Sequence, residues 1–196
     1  MIPKKIHQIW VGPNPLPIRS VGYIEKIKSL HPEYEYRLWT NVDVTPENFV
    51  NYEYILQANN FAQKADIMRY EILCKHGGIY LDIDFEILKN LTPLLTHDLV
   101  SCNETEDHSL YISNAFIAST IGNPNIQRCV ENISTVTLNT KDINFQTGPF
   151  YFRKCLILDE TVNILKTIVM YPSRTRRQPK KYSPTTYGTH HWHGRW

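Results

Sequence analysis

The chain has no stretch of apolar residues approaching the ~20 needed to span a bilayer, which excludes a membrane-crossing helix. It contains neither GxGxxG nor GxxxxGK[ST], so a dinucleotide fingerprint and a P-loop are both absent, and with them the usual dehydrogenases and P-loop kinases. Its four cysteines, Cys74, Cys102, Cys129 and Cys155, form no CxxC pair. Neither a redox motif nor a zinc knuckle is therefore encoded. No basic region followed by an apolar stretch and a cleavage site opens the chain, so the expected setting is reducing and cytoplasmic. Internal repeats and linkers are also missing. A length of 196 residues fits one domain that buries roughly 70% of its unfolded surface.

What is present is uneven charge. Residues 1–149 carry 12 Lys/Arg against 17 Asp/Glu, whereas residues 150–196 carry 9 against 2. An acidic body suits a cation and a basic tail suits phosphate, although an ordinary mixed surface accounts for the same count.

The pattern of apolar residues predicts a strand over Ile6 to Val11, a helix over 18–30 and a strand over Tyr34 to Trp39. A helix over 46–58 is expected from Thr45-Pro46, a cap followed by proline at the first helical position. From Phe61 to His76, apolar residues recur at Phe61, Ala65, Met68 and Ile72, the stripe of a helix that ends at Gly77-Gly78. Ile79, Leu81, Ile83, Phe85 and Ile87 then alternate with Tyr80, Asp82, Asp84 and Glu86, which predicts one strand with an apolar face and an acidic face. Further strands are expected near 98–103, 110–118 and 167–171, with helices near 124–136 and 148–158. Residues 173–184 read as an irregular loop. The alternation of strands and helices argues for a three-layer α/β domain around a mixed, mainly parallel sheet.

On one strand face, the Cα atoms of Asp82 and Asp84 stand roughly 6–7 Å apart. Two such charges repel by about 2.5 kcal/mol at an effective dielectric near 20, a cost that a dication between them reverses. Mn²⁺ or Mg²⁺ suits those oxygens; a solvated acidic face is the competing reading. Asp66 and Arg69 share a face of the preceding helix, which the Gly-Gly turn brings near the acidic strand. The last ten residues hold Tyr187, His190, His191, Trp192, His193, Arg195 and Trp196, side chains able to complete a metal site, stack on a base or sugar, and grip phosphate. Trp10, at the end of the first strand, sits where open α/β sheets place ligands.

The ordered set Ile2-Pro-Lys-Lys-Ile-His-Gln-Ile-Trp10, Ala65-Asp-Ile-Met-Arg-Tyr70, Gly77-Gly-Ile-Tyr-Leu-Asp-Ile-Asp84 and His190-His-Trp-His-Gly-Arg-Trp196 resembles the glycosyltransferase family of Och1-like mannosyltransferases and bacterial capsular polysaccharide sugar transferases. That resemblance implies a GT-A-type fold with a DXD motif. It also implies a UDP-sugar or GDP-mannose donor, a glycan or other hydroxyl acceptor, Mn²⁺ or Mg²⁺, and retention of anomeric configuration. Carried over by position, Trp10 stacks on the donor base, Asp66 and Arg69 bind the donor sugar and diphosphate, and Tyr80 lines the nucleotide pocket. Asp82 contacts ribose or metal-bound water, Asp84 ligates the metal, and Trp196 closes over the diphosphate. Asn114 and Thr147-Gly148-Pro149 match later active-site segments. Arg195 stands where relatives often carry serine, which leaves His191 or His193 to supply the remaining metal contact.

The expectation is thus one domain over 1–196, with 173–196 closing the active site. Nucleic acid is not an expected partner; peripheral membrane contact is compatible with the basic tail. Two rival readings use the same residues: a metal-dependent phosphohydrolase on the acidic strand, and a non-catalytic module that binds anionic polymer or membrane through the tail.

Overall fold

The computed structural model describes residues 1–105, 111–138, 142–173 and 182–193. In chain order these form β1 (Lys5–Ile9), α1 (Ile18–Leu30), β2 (Glu35–Trp39), α2 (Tyr52–Gln57), α3 (Phe61–His76), β3 (Gly78–Leu81), β4 (Phe85–Ile87), β5 (Leu99–Asn103) and β6 (Ile112–Ser119). Then come α4 (Pro124–Asn132), α5 (Ile143–Gln146), α6 (Pro149–Cys155), β7 (Val162–Leu165), α7 (Thr167–Met170) and β8 (Gly188–His190). A six-stranded sheet runs in the order β2-β1-β3-β6-β5-β7, while β4 and β8 form a separate two-stranded ribbon. Only β6 opposes its neighbours, so the sheet is mixed and mainly parallel as expected.

Both faces of this sheet are buried, as parallel sheets require. The two-residue period sorts the strands between two cores. Ile9, Tyr80, Leu99 and Ile117 pack with residues of α3, α4 and α6, and Ile6, Ile79, Leu81, Val100 and Phe116 pack with Ile27 of α1 and Met170 of α7. At ~25 cal/mol per Å² of apolar surface, burial on this scale dominates the stability of the fold. Among the described residues, no helix is long and apolar enough to cross a membrane.

Helix α3 keeps the predicted limits because both ends are marked in the chain. The Asn60 side chain accepts the amide of Gln63 at its start. At its end Gly77 and Gly78 take φ of +59° and +92°, and a Cβ on Gly78 would stand 2.6 Å from the carbonyl oxygen of Lys5. The helix is not half-exposed, however: every residue from Ala65 to Leu73 is buried, Asp66, Arg69 and Glu71 included. Those three polar groups must each find partners inside.

Four expectations are corrected. The helix over 46–58 is cut to α2, because the Glu71 carboxylate accepts the amides of Val50 and Asn51 at 2.6 and 2.8 Å, donors that a helix from residue 46 would have spent on its own carbonyls. The strand over 79–87 breaks after Leu81: the amide of Phe85 turns back to the carbonyl of Asp82, and the acidic residues begin where the strand ends. Residues 167–170 are helical, since β7 takes the edge of the sheet beside β5 and the amide of Tyr171 closes on the carbonyl of Thr167. The helix over 148–158 stops at Cys155. Of the expected loop 173–184, residues 174–181 lie outside the described set.

Two buried imidazoles are held neutral by their partners. His7 Nε2–H donates to the Gly77 carbonyl at 3.1 Å while Nδ1 accepts from Trp39 Nε1–H at 3.3 Å. In the same way His31 Nδ1–H donates to Ile27 and Nε2 accepts the amide of Leu91. A second proton on either ring would face a donor with a donor. Burial pushes His7 down to about 4, below its ordinary 6.5. The unfolded chain therefore binds more protons between these values, so stability from His7 is complete above about pH 6.5 and is lost as pH falls toward 4. That loss approaches ~3 kcal/mol at the acid end. Urea unfolding from pH 7 to 4.5 is expected to show a pH slope that is smaller in His7→Leu; an equal slope in both proteins would refute the assignment.

Candidate functional site

At the carboxyl end of β3 the chain leaves the sheet, and the buried guanidinium of Arg69, on α3, meets it there. One nitrogen of Arg69 lies 3.0 Å from Asp66 and 3.2 Å from Asp82, and another donates to the carbonyl of Asn114 at 2.7 Å. Its third donor, Nε, reaches the carbonyl of Ala65, and its Cζ lies over the ring of Tyr80, 4.5 Å from the centroid. The Tyr80 hydroxyl donates to the same Asp82 oxygen at 2.7 Å. The Asp66 oxygen that meets Arg69 also accepts from the Asn114 amide (2.8 Å), and its other oxygen accepts from the Thr147 hydroxyl (2.9 Å). Burial pushes Asp66 up to about 6 against the pull of Arg69; for Asp82 burial acts the same way, but Arg69, followed by His190, holds it below the usual carboxylate range.

The other side of Asp82 faces β8. Antiparallel pairing sets Phe85 opposite His190, one residue from Asp84. His190 Nε2 is then 2.9 Å from Asp84 and 3.7 Å from Asp82. Burial opposes a charge on His190, yet the Asp84 and Asp82 carboxylates raise it to about 9, and the imidazolium with the His193 amide keeps Asp84 near 2. One ligand atom from each of Asp82, Asp84 and His190 lies within 4.8 Å of the others. Ligands adjacent on an octahedral ion at ~2.1 Å stand roughly 3 Å apart, so the described spacings fit a dication in place of the imidazolium proton.

Beside this cluster opens a cavity of about 450 Å³. Trp10, Asp82, Ile83, Asp84, His190, Trp192 and His193 form part of its wall, and the start of α1 forms another part. Trp10 is pinned by its indole N–H to the carbonyl of Asn14 at 2.9 Å.

The candidate residues thus fall into two layers. Trp10, Asp82, Asp84 and His193 reach the cavity; Asp66, Arg69, Tyr80 and Asn114 pack behind Asp82 and do not line it. Gly148 is the N-cap of α6, and its neighbour Thr147 provides the side-chain contact to Asp66. His191 points away: it lies 3.1 Å from Glu86, which also holds Lys26, and its ring stacks on Tyr23. His193 touches Asp84 through its backbone amide, at 2.6 Å. Arg195 and Trp196 lie outside the described residues.

Sequence reading passed over His190 as a ligand because three histidines crowd the same ten residues, and only the register of β8 on β4 selects among them. The alternation of β8, with Thr189 turned inward and His190 beside Phe85, was the available signal, but a three-residue strand is too short to carry a period. Glu104, just after β5, belongs to the same neighbourhood. Burial raises its carboxyl, which sits within the field of His190 and bonds Trp192.

A family model described as the glycosyltransferase sugar-binding region containing the DXD motif matches residues 17–101. Inositol phosphoceramide mannosyltransferase 3 of Schizosaccharomyces pombe is 34% identical over 158 residues, which are 76% of this chain and 43% of that protein. The chain spans less than half the length of the curated relatives it matches in that way. Among solved structures, the PaToxG glycosyltransferase aligns with a TM-score of 0.64 at 20% identity, over 79% of this chain and 67% of that one. The galactosyltransferase LgtC, solved with donor and acceptor sugar analogs, aligns with a TM-score of 0.56 at 12% identity, over 96% and 87%. At such identities the likeness speaks for the fold, which is of the GT-A type.

Removing Arg69 leaves Asp66 and Asp82 buried without their cation. Arg69→Met is expected to cost about 3–5 kcal/mol, read from urea unfolding. A loss under ~1 kcal/mol would show that Asp82 is held by other means.

Proposed function

Because residues 17–101 match the glycosyltransferase sugar-binding region containing the DXD motif, we propose that the chain moves a sugar from a nucleoside diphosphate to a hydroxyl acceptor in the cavity beside Asp82 and Asp84. The observation that carries this reading is the convergence of two carboxylates and one imidazole, from opposite parts of the chain, in the wall of a cavity edged by an anchored indole. The relative from fission yeast is by its name a mannosyltransferase, which favours GDP-mannose over a UDP-sugar as donor and a phosphoglycolipid headgroup or other glycan as acceptor. Retention of configuration belongs to the same proposal.

Asp82, Asp84 and His190 would hold the metal. A mixed oxygen and nitrogen set suits Mn²⁺ better than Mg²⁺, which prefers oxygen alone. Bound there, the ion would supply positive charge to the departing diphosphate. The protein's own residues do the rest by position. Arg69 and the Tyr80 hydroxyl fix one oxygen of Asp82 and leave the other toward the cavity; Asp66, Asn114 and Thr147 in turn fix Arg69. These are positioning residues, since none of them lines the cavity. The His193 amide orients Asp84. Trp10 presents an indole face suited to stacking on the donor base or sugar. The segment 173–196 closes the site of a single domain over 1–196, its β8 strand contributing His190.

Preorganised charge of this kind is worth 10²-fold or more in rate when one member is removed. Asp84→Ala and His190→Ala are each expected to lower sugar transfer by about 100-fold or more, while His191→Ala stays within about threefold. Thermal unfolding with GDP or UDP, with Mn²⁺ or EDTA, supplies an independent readout. Ligand at ~100 times its dissociation constant adds about 2.7 kcal/mol, or several degrees at roughly 2–4 °C per kcal/mol. A shift that persists in EDTA and in Asp84→Ala would overturn the metal assignment, and equal losses in His190→Ala and His191→Ala would overturn the choice between them.

A further inference from the structure

Helix α1 begins on the cavity without a cap. Its N-cap position is Pro17, which has no side-chain donor or acceptor, and its first turn holds no acidic residue. The amides of Ser20 and Val21 turn back to the Pro17 carbonyl, but those of Ile18 and Arg19 donate to no described residue. Pro17, Ile18, Arg19 and Ser20 all line the same 450 Å³ cavity as Asp82 and Asp84.

Two side chains add to this. Arg19 has no carboxylate at ion-pair distance among the described residues. Ser20 is only 3% exposed, yet its hydroxyl makes no hydrogen bond to any described residue, and it is not sealed from the cavity. Such a hydroxyl is placed to take its partner from whatever occupies the cavity. Helix N-termini attract anions through free amides and the aligned peptide dipoles. A carboxylate has two oxygens to offer; two amides, a guanidinium and a hydroxyl match the larger oxygen set of a phosphate.

We propose that the first turn of α1, through the amides of Ile18 and Arg19, the Arg19 guanidinium and the Ser20 hydroxyl, is a phosphate subsite of the cavity. The phosphate belongs either to the donor's diphosphate or to a phosphorylated acceptor. The subsite itself does not depend on the cation site; only the identity of its occupant rests on the transferase reading.

The test is calorimetric titration of the whole chain with inorganic phosphate in EDTA at low ionic strength, followed by the same titration in Arg19→Gln and Ser20→Ala. Each variant is expected to weaken phosphate by about tenfold, the scale of one charge-assisted or buried hydrogen bond, with unfolding midpoints unchanged for the exposed Arg19. Asp84→Ala is expected to retain phosphate binding even where Mn²⁺-dependent nucleotide binding is lost, which separates this proposal from the previous one. Saturation with GDP and Mn²⁺ then distinguishes the sources. Displacement of phosphate assigns the subsite to the donor, and simultaneous binding assigns it to the acceptor. No measurable phosphate binding, or binding equal in wild type and both variants, overturns the subsite.

Discussion

A buried guanidinium is the constraint around which this molecule is arranged. Arg69 is 3% exposed, and a charge so placed is tolerated only when opposite charge and hydrogen bonds replace the water it has lost. Asp66 comes from the turn of α3 before it, Asp82 from the end of β3, and the carbonyl of Asn114 from β6. Satisfying one side chain thus ties a helix to two adjacent strands. It also leaves Asp82 with little freedom: one oxygen is taken by Arg69 and Tyr80, and the other is the one available to β8 and the cavity.

From that fixed carboxylate the cluster grows outward. Ending β3 at Leu81 turns Asp82 to Asp84 out of the sheet, and the β4–β8 ribbon then sets His190 against them. Had the strand continued through residue 87, Asp82 and Asp84 would share a face at strand spacing, with no element placed to bring an imidazole between them. The turn converts a two-residue repeat into a pocket wall. Further contacts, Lys26 and His191 on Glu86 with Tyr23 stacked on His191, join the ribbon to α1. Because α1 also carries the uncapped turn Pro17–Ser20, this seam helps hold the two walls of the cavity together.

How much of this was legible in the chain differs from element to element for physical reasons. Helix α3 was readable to the residue because its signals are local: Asn60 caps its own helix, and Gly77 and Gly78 adopt backbone angles that other residues avoid. The helix expected over 46–58 was overridden by Glu71, whose carboxylate takes two amides 20 and 21 positions before it. Tyr80 read as a polar-face residue, yet it is fully buried, since α3 covers the face on which it lies. The apolar period says which residues share a face; it does not say what covers that face.

The same division holds at the site. Residue type and near spacing determined that Asp82 and Asp84 stand together, that Asp66 and Arg69 share a helix face, and that Trp10 ends the first strand, because each of those facts depends on a few consecutive bonds. Only the tertiary structure decided that Arg69 bridges Asp66 to Asp82, that His190 rather than His191 meets the carboxylates, and that the start of α1 shares their cavity. Those contacts join segments far apart in the chain, and their geometry is set by strand register and by the demand that buried charge be paired, neither of which a local pattern records.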